Sequence, residues 1–267
     1  MKYRHILELA FRKSEGLTRL HRNFNTGALR VVKPFYIQDT LILQVISLGA
    51  GISSDDIFQI KIEADEGCKV ILINQSATKI LKSTNGNYGE NKISVNLGTN
   101  SVLEFYSGLI IPFPNSMFRQ TVDVNIASEA RFGYLEFLSV GRIERGEEFL
   151  FGKFSNTLHI KKQNKHVFWE NYSMDKSKRG NLATIGSYRY IASGIWTYHL
   201  STEDKGLEEF NKGMIIWGKN QSGLTFIRGF AQEGYPLIRR VCNMVNEFKK
   251  IRNDPLIPWE NLSSAFL

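Results

Sequence analysis

The sequence predicts a mainly β protein built of stacked strand–turn–strand coils (β-helix-like), with an amphipathic helix near its C-terminal end. Apolar and polar residues alternate over most of the first two thirds of the chain, which is typical of strands that bury one face. Strand–turn–strand units recur about every 30 residues, and such units bury their apolar faces against one another when they stack. Towards its end the chain changes to a helical period.

Three copies of the unit follow one another along the chain. Their first strands are predicted at 59–63, 92–97 and 121–126, and their second strands begin at 69–72, 102–105 and 132–135. A weaker fourth copy is predicted from Thr157 to Glu170. A plain β-sandwich, whose strands also recur with turns between them, is the alternative fold.

The final apolar pattern predicts a helix at 236–253. Its apolar residues follow the i, i+3, i+4, i+7 spacing of one helix face, and Pro236 suits a first helical turn. The stretch before it is polar and interrupted, but no linker marks a second domain. We therefore expect one domain over 1–267, mainly β over 1–235.

Composition excludes several classes of protein. The 267 residues have a mean hydropathy of −0.22, and the longest apolar stretches fall far short of the roughly 20 residues that span a bilayer. The first apolar run is broken by Glu8, so no secretory signal is expected. Cys68 and Cys242 form no C-x-x-C pair, which suits a reducing compartment. We expect a cytoplasmic protein with no membrane partner.

Basic residues are concentrated at the start of the chain. The net charge is +8, and residues 1–35 hold eight Lys or Arg against two Glu. A basic face of this kind is compatible with nucleic acid or with an acidic protein partner. Charge alone does not choose between them.

Most familiar site motifs are absent from the sequence. Gly49 and Gly51 suggest a dinucleotide loop, but an alternating strand follows them instead of a helix, and Ser54 takes the third glycine position. The five histidines show neither H-x-H nor H-x-x-x-H spacing, so no tight metal site is predicted. No G-x-S-x-G nucleophile motif occurs.

Carboxylates within or beside apolar strands are the candidate chemical groups. They are Asp56, Glu63, Glu104, Glu136 and Glu170. An inward carboxylate is costly unless it is paired, solvated or bound to a cation. In stacked coils they would share a column, which would suit either acid/base catalysis or a passage for a hydrated cation. The alternative is that most of them face water.

Several ordered blocks of the sequence resemble the urease accessory protein UreD family, also called UreH. They are the glycine-rich strand end at 48–56, INQSATKI at 73–80, the stretch from Leu103 to Phe113, and GRIERGE at 141–147. The motif residues that match are Gly51, Gln75, Thr78, Lys79, Gly141, Arg142, Gly146 and Glu147.

The resemblance implies a cytoplasmic maturation factor that is not an enzyme. It implies binding to UreF, which recruits the GTPase UreG, and docking on apo-urease while nickel is inserted. Nickel(II) would pass transiently through a polar internal tunnel, with no tightly bound cofactor, and the five carboxylates are its candidate lining groups.

The basic C-terminal helix is expected to help dock UreF. Its candidate contact residues are Leu237, Val241, Met244, Phe248 and Arg252. Two other functions remain as alternatives: a β-helical carbohydrate-active enzyme with paired carboxylates, and a basic RNA-binding module. The second lacks an RNP-like aromatic motif, so no nucleic-acid partner is expected.

Overall fold

The computed structural model describes residues 3–176, 185–200 and 205–257. These residues contain a long helix, α1 (Gly234–Ile251), a 3-10 turn (Ile143–Arg145) and twenty strands. The strands are β1 (Tyr3–Ser14), β2 (Leu17–Thr26), β3 (Leu29–Val31), β4 (Phe35–Ile37), β5 (Thr40–Ser47), β6 (Asp56–Ala64), β7 (Lys69–Asn74), β8 (Thr78–Ile80), β9 (Gly89–Leu97), β10 (Val102–Pro112), β11 (Met117–Ile126), β12 (Arg131–Ser139), β13 (Gly141–Arg142), β14 (Glu147–Glu148), β15 (Lys153–Lys162), β16 (Lys165–Asp175), β17 (Tyr190–Trp196), β18 (Lys205–Phe210), β19 (Gly213–Lys219) and β20 (Thr225–Ala231).

Two large sheets hold most of these strands. The first sheet has the order β16-β15-β11-β9-β6-β1-β2, and the second has the order β18-β19-β20-β17-β12-β10-β7-β5-β3. From β5 to β15 the chain passes repeatedly from one sheet to the other, and strands of successive coils pair in parallel. This connectivity makes a β-solenoid of about four turns and confirms the predicted stacked coils.

The alternating sequence builds the stack because each strand buries one face. Ile60, Ile93, Val122 and Leu158 occupy equivalent register positions on four parallel strands of the first sheet, and all four are buried. Side chains at alternate strand positions point to opposite faces. The predicted period therefore becomes an apolar column between the two sheets.

The predicted fourth copy of the unit differs from the first three. β15 pairs in parallel with β11, but β16 turns back and pairs antiparallel with β15 in the same sheet. The two turn residues, Gln163 and Asn164, both have positive φ, as the tight turn of a two-residue hairpin requires. The chain thus ends the first sheet with a hairpin instead of crossing to the second.

The C-terminal part extends the second sheet and covers it with the helix. β17, β20, β19 and β18 pair antiparallel beyond β12. α1 lies on the outer face of this extension, where Leu237, Val241 and Val245 are buried. The predicted C-terminal helix is confirmed, beginning two residues earlier than expected.

Within the described ranges, no helix has both the length and the apolar character needed to cross a bilayer.

Candidate functional site

Three buried amides lie in line between the two sheets. Asn91, Gln120 and Asn156 occupy equivalent positions on β9, β11 and β15, two residues before the apolar column. Asn91 Nδ2 donates to Gln120 Oε1 at 2.8 Å, and Gln120 Nε2 donates to Asn156 Oδ1 at 3.3 Å. Solenoid register therefore turns one polar residue per coil into a continuous ladder.

Glu136, on β12 of the opposite sheet, reaches this ladder. Its carboxylate accepts hydrogen bonds from Gln120 Nε2 at 2.7 Å and from Asn156 Nδ2. The hydroxyls of Tyr134 and Tyr172 donate to it at 2.8 Å and 3.3 Å. We call Asn91, Gln120, Asn156 and Glu136 the polar row.

The Glu136 carboxylate is 2% exposed and is enclosed by neutral donors. In the described part of the chain it has no ion pair with Lys, Arg or His. Burial raises the pKa of Glu136, against the hydrogen bonds from Tyr134 and Gln120, which lower it. Burial also raises the pKa of both tyrosines well above the usual range, which keeps their hydroxyls protonated as donors.

Beyond Glu136, an ion pair joins the last strand of the first sheet to the second sheet. Glu170 of β16 accepts a hydrogen bond from Arg228 of β20, and both are partly exposed. Tyr172, which donates to Glu136, lies two residues from Glu170 on the same face of β16, and the charge of Glu170 contributes to the raised pKa of Glu136. The predicted candidates Glu136 and Glu170 are therefore brought together.

A cavity lies at the other end of the polar row. Its volume is about 250 Å³. The loop at 49–52 and the segment at 76–79 form part of its wall. Asn91, Phe105 and Ser107 line its inner end. The polar row thus runs from this cavity towards the partly exposed Glu170 pair.

The other three predicted carboxylates lie elsewhere. The expectation that Glu63 lines the interior is wrong. Ile60 and Ile62 point inward on β6, and because side chains alternate along a strand, Glu63 points outward and is exposed. Asp56 accepts a hydrogen bond from the Ser53 backbone N–H at 2.8 Å. It thereby orders the loop before β6, and it does not line the cavity.

Glu104 is buried, but on the other face of the second sheet, so its predicted place in the column is also wrong. Its carboxylate accepts hydrogen bonds from Lys249 of α1, from Tyr106 and from Tyr198. Burial alone would raise the pKa of Glu104, but Lys249 and the two hydroxyls bring it below its ordinary value. Glu104 is therefore a structural ion-pair partner beneath the helix.

Chemically, the polar row offers oxygen atoms and amides but no nucleophile. Among the described residues, no group of three or more His, Cys, Asp or Glu is placed to hold a metal ion. Carboxylate and amide oxygens suit a hydrated divalent cation that keeps part of its water. A cation would thus be held weakly here.

A comparison with protein families decides the chain's relationship. The model of the UreD urease accessory protein family matches residues 4–254. The chain belongs to the UreD family. Its relatives include UreD 1 of Synechococcus sp. strain JA-3-3Ab, 29% identical over 97% of this chain and 96% of that protein. UreD of Deinococcus radiodurans is 27% identical over 93% of this chain and 90% of that protein. UreH of Helicobacter hepaticus is 30% identical over 71% of this chain and 76% of that protein. Family membership supports a role in urease maturation, and these relatives are accessory proteins rather than enzymes.

The UreD motif residues fall into two places. Gly51, Thr78 and Lys79 line the cavity, whereas Gln75 is exposed outside it. A Cβ at Gly51 would lie 2.4 Å from the Lys79 carbonyl oxygen. Glycine therefore lets the loop approach segment 76–79, where the Ile52 N–H donates to Lys79 O at 2.8 Å.

The second UreD motif forms the short β13–β14 hairpin. Arg142 donates two hydrogen bonds to Glu147, one of 2.6 Å, and its guanidinium lies 4.2 Å from the Phe113 ring centre. Gly141 and Gly146 both have positive φ, and a Cβ on Gly141 would collide with the Glu147 carbonyl oxygen. These residues shape a turn beside the start of α1.

The residues predicted to contact UreF do not share one free surface. Leu237, Val241 and Met244 are buried, and Phe248 packs against the same cluster, so these four hold α1 on the sheet. Only Arg252 is exposed, with its guanidinium donating to the His199 carbonyl. The prediction that these apolar side chains meet a partner is therefore corrected, because the second sheet already covers them.

The three amides of the polar row were missed by sequence reasoning. Their buried positions could have been predicted from the alternation of side chains along each strand. Gln120 lies between Phe118 and Val122 at every second position of β11, so it had to face inward with them. A polar residue at a position where the alternation calls for a buried apolar one, repeated in successive coils, marks such a ladder.

Proposed function

We propose that this chain is a cytoplasmic scaffold of urease maturation, and that nickel(II) passes transiently along its polar row. In this proposal the chain binds UreF, assembles through it with UreG, and docks on apo-urease. It performs no catalysis and holds no cofactor tightly. The observation that carries the nickel part is Glu136, a buried carboxylate with no ion pair in the described residues.

An isolated buried carboxylate calls for a compensating positive charge. Transferring it from water is expensive, and proteins usually offset that cost with a cation or by protonation. The neutral amides and hydroxyls around Glu136 provide hydrogen bonds but no charge. A hydrated nickel ion would supply the charge, and the lack of imidazole or thiolate in the row would let it leave again.

The carbohydrate-enzyme alternative is not favoured by the site. A polysaccharide must reach both carboxylates, but Glu136 is enclosed between the two sheets. Glu170, the predicted carboxylate whose charge acts on Glu136, is already paired with Arg228. The RNA-binding alternative gains no support from the polar row, which is internal.

Urease activity in reconstituted cells tests the maturation role. Cells would express the apo-urease subunits and the other accessory proteins, with and without this chain, in nickel-supplemented medium. We expect activity only when the chain is present. Equal activity in both, with the chain shown to be expressed and folded, would contradict the proposal.

The outward face of α1 is the part of the helix available to UreF. Arg239, Asn243 and Lys250 are exposed there. We expect Arg239→Glu combined with Lys250→Glu to weaken UreF binding about tenfold or more, because a charge reversal at an interface brings like charges together. Binding would be measured by titrating purified UreF against the full chain.

A matched charge reversal provides the control for this prediction. Lys161→Glu with Lys165→Glu makes the same change in net charge on the distant β15–β16 hairpin, and it should leave UreF binding within about twofold. Equal binding by wild type and the helix variant would show that UreF docks elsewhere.

A further inference from the structure

Two histidines of the β15–β16 hairpin are stacked on the outer face of the first sheet, away from the polar row. The ring centres of His159 and His166 are 4.6 Å apart, and the ring planes are 20° from parallel. His159 Nε2 and His166 Nδ1 are 2.6 Å apart. The two imidazole nitrogens therefore face each other across a hydrogen bond at the surface.

A β-bulge brings the two rings to the same face. His159 pairs with Trp169 and Ile160 with Phe168, but Lys161 pairs with His166, so Val167 has no partner in the register. An extra residue in one strand reverses the parity of the residues beyond it, and bulges re-aim side chains in this way. In a regular hairpin His166 would face the interior.

The neighbouring strand orients the first histidine. Asp123 of β11 lies beside His159 in the parallel register, and its Oδ1 is 3.5 Å from His159 Nδ1. A carboxylate near one imidazole nitrogen favours the proton on that nitrogen and leaves the lone pair on the other, as behind metal-ligating histidines. In His159 that other nitrogen is Nε2, which faces His166.

We propose that His159 Nε2 and His166 Nδ1 chelate one borderline divalent cation, of the class of Ni²⁺, Zn²⁺ or Cu²⁺. Two nitrogen ligands at about 2.1 Å from a metal and at right angles lie about 3.0 Å apart. The nitrogens therefore need to separate by a few tenths of an ångström, and the rings need to turn out of their stack so that both in-plane lone pairs meet the metal, which displaces the proton of the hydrogen bond. Imidazole selects these metals over Mg²⁺ and Ca²⁺. Water completes the coordination.

The site is a weak and exchangeable one. It has only two protein ligands, and Lys161, Lys162 and Lys165 on the same hairpin oppose a cation. It is also separate from the polar row, because the first sheet lies between them. Binding at the two histidines is therefore independent of the proposed function and of nickel entry into the interior.

Trp169 gives the site its own reporter. The side chain is 67% exposed and its residue is the register partner of His159. Paramagnetic Ni²⁺ bound beside it should quench its fluorescence, whereas Mg²⁺ should not. NiCl2 would be titrated into the full chain at neutral pH, and binding would be followed by tryptophan fluorescence and by calorimetry.

The variants separate this site from other nickel binding. His159→Gln and His166→Gln should each weaken the quenching site at least tenfold, since each removes one of two ligands. His21→Gln, an exposed histidine on β2, should leave it unchanged. Trp169→Phe should keep the calorimetric binding and lose the quenching. Equal quenching in wild type and both hairpin histidine variants would overturn the proposal, and all variants are surface changes whose fold is checked by circular dichroism.

Discussion

Replacing Glu136 with glutamine is expected to reduce urease activation about tenfold or more at limiting nickel, because the row loses its charged oxygen ligand. Glutamine matches the shape of glutamate and still accepts hydrogen bonds at one of the two oxygen positions. The loss would be seen as a lower nickel content of the purified urease and a lower specific activity. UreF binding should be unchanged, since Glu136 lies between the sheets.

The same substitution changes how the stability of the fold depends on pH. The pKa of Glu136 is raised on folding, so its charge opposes folding at pH values above the folded pKa. That cost disappears as the pH falls below the unfolded pKa. Wild type should therefore lose stability relative to Glu136→Gln as the pH rises through the folded pKa, and the difference between their urea midpoints should become constant in acid, below the unfolded pKa.

Glu63→Gln is the matched control for this experiment. It removes one carboxylate from the same solenoid, but from the exposed face of β6, and it should leave both nickel loading and stability near wild type. If Glu136→Gln loaded urease with nickel as well as wild type does at limiting nickel, the polar row would not be the nickel path.

Replacing Lys249 with methionine is expected to destabilise the protein by about 3–5 kcal/mol. Lys249 is 1% exposed and is the cationic partner of the buried Glu104. Its removal would leave the carboxylate with only the hydroxyls of Tyr106 and Tyr198. A loss of this size is a large part of the roughly 5–15 kcal/mol that stabilises a typical protein. Urea unfolding followed by far-ultraviolet circular dichroism would measure it.

The contribution of the Glu104–Lys249 ion pair to the free energy of unfolding depends on pH because the pKa of Glu104 is lowered in the folded protein. Since the folded pKa lies below the ordinary value of 4.5, the ion pair stabilises the fold above pH 4.5. The stability is lost as the pH falls through the folded pKa. In Lys249→Met the carboxylate has no cation, so this acid-induced loss should disappear.

Two further variants complete the test. Glu104→Gln with Lys249→Met removes both charges and should recover most of the stability, because no unpaired charge remains buried. Arg240→Met breaks the exposed pair with Glu208 and should cost about 1 kcal/mol or less. A single Lys249→Met variant as stable as Arg240→Met would refute the argument.

The solenoid could be predicted from the sequence because the alternation of residues in its strands follows which side chains are buried. Where only one face of a strand is buried, apolar and polar residues must alternate, and β6, β9 and β11 show this alternation. Alternation also places one of the candidate carboxylates. Glu63 alternates with Ile60 and Ile62 on β6 and therefore faces water. Glu136 lies on β12, which is buried on both faces, so alternation does not place it.

Parity could not place Glu104. The second sheet is covered on both faces over β10, by the first sheet on one side and by α1 and its neighbouring chain on the other. Consecutive residues Leu103, Glu104 and Phe105 are therefore all buried, and the strand carries no inside–outside signal. The partner of Glu104 lies 145 residues away, a separation that no local pattern reports.

That separation sets an order of events during synthesis. At about 5–20 residues per second, roughly 7–30 s pass between the appearance of Glu104 and that of Lys249, 145 residues later. During this interval the outer apolar face of the second sheet, including Ile71, Tyr106 and Leu135, has no helix to cover it. A ribosome that pauses after β16 and before α1 therefore holds a nascent chain with complete coils and an exposed apolar face that can associate with other chains. The yield of folded protein then depends on the speed of elongation as well as on the stability of the finished protein.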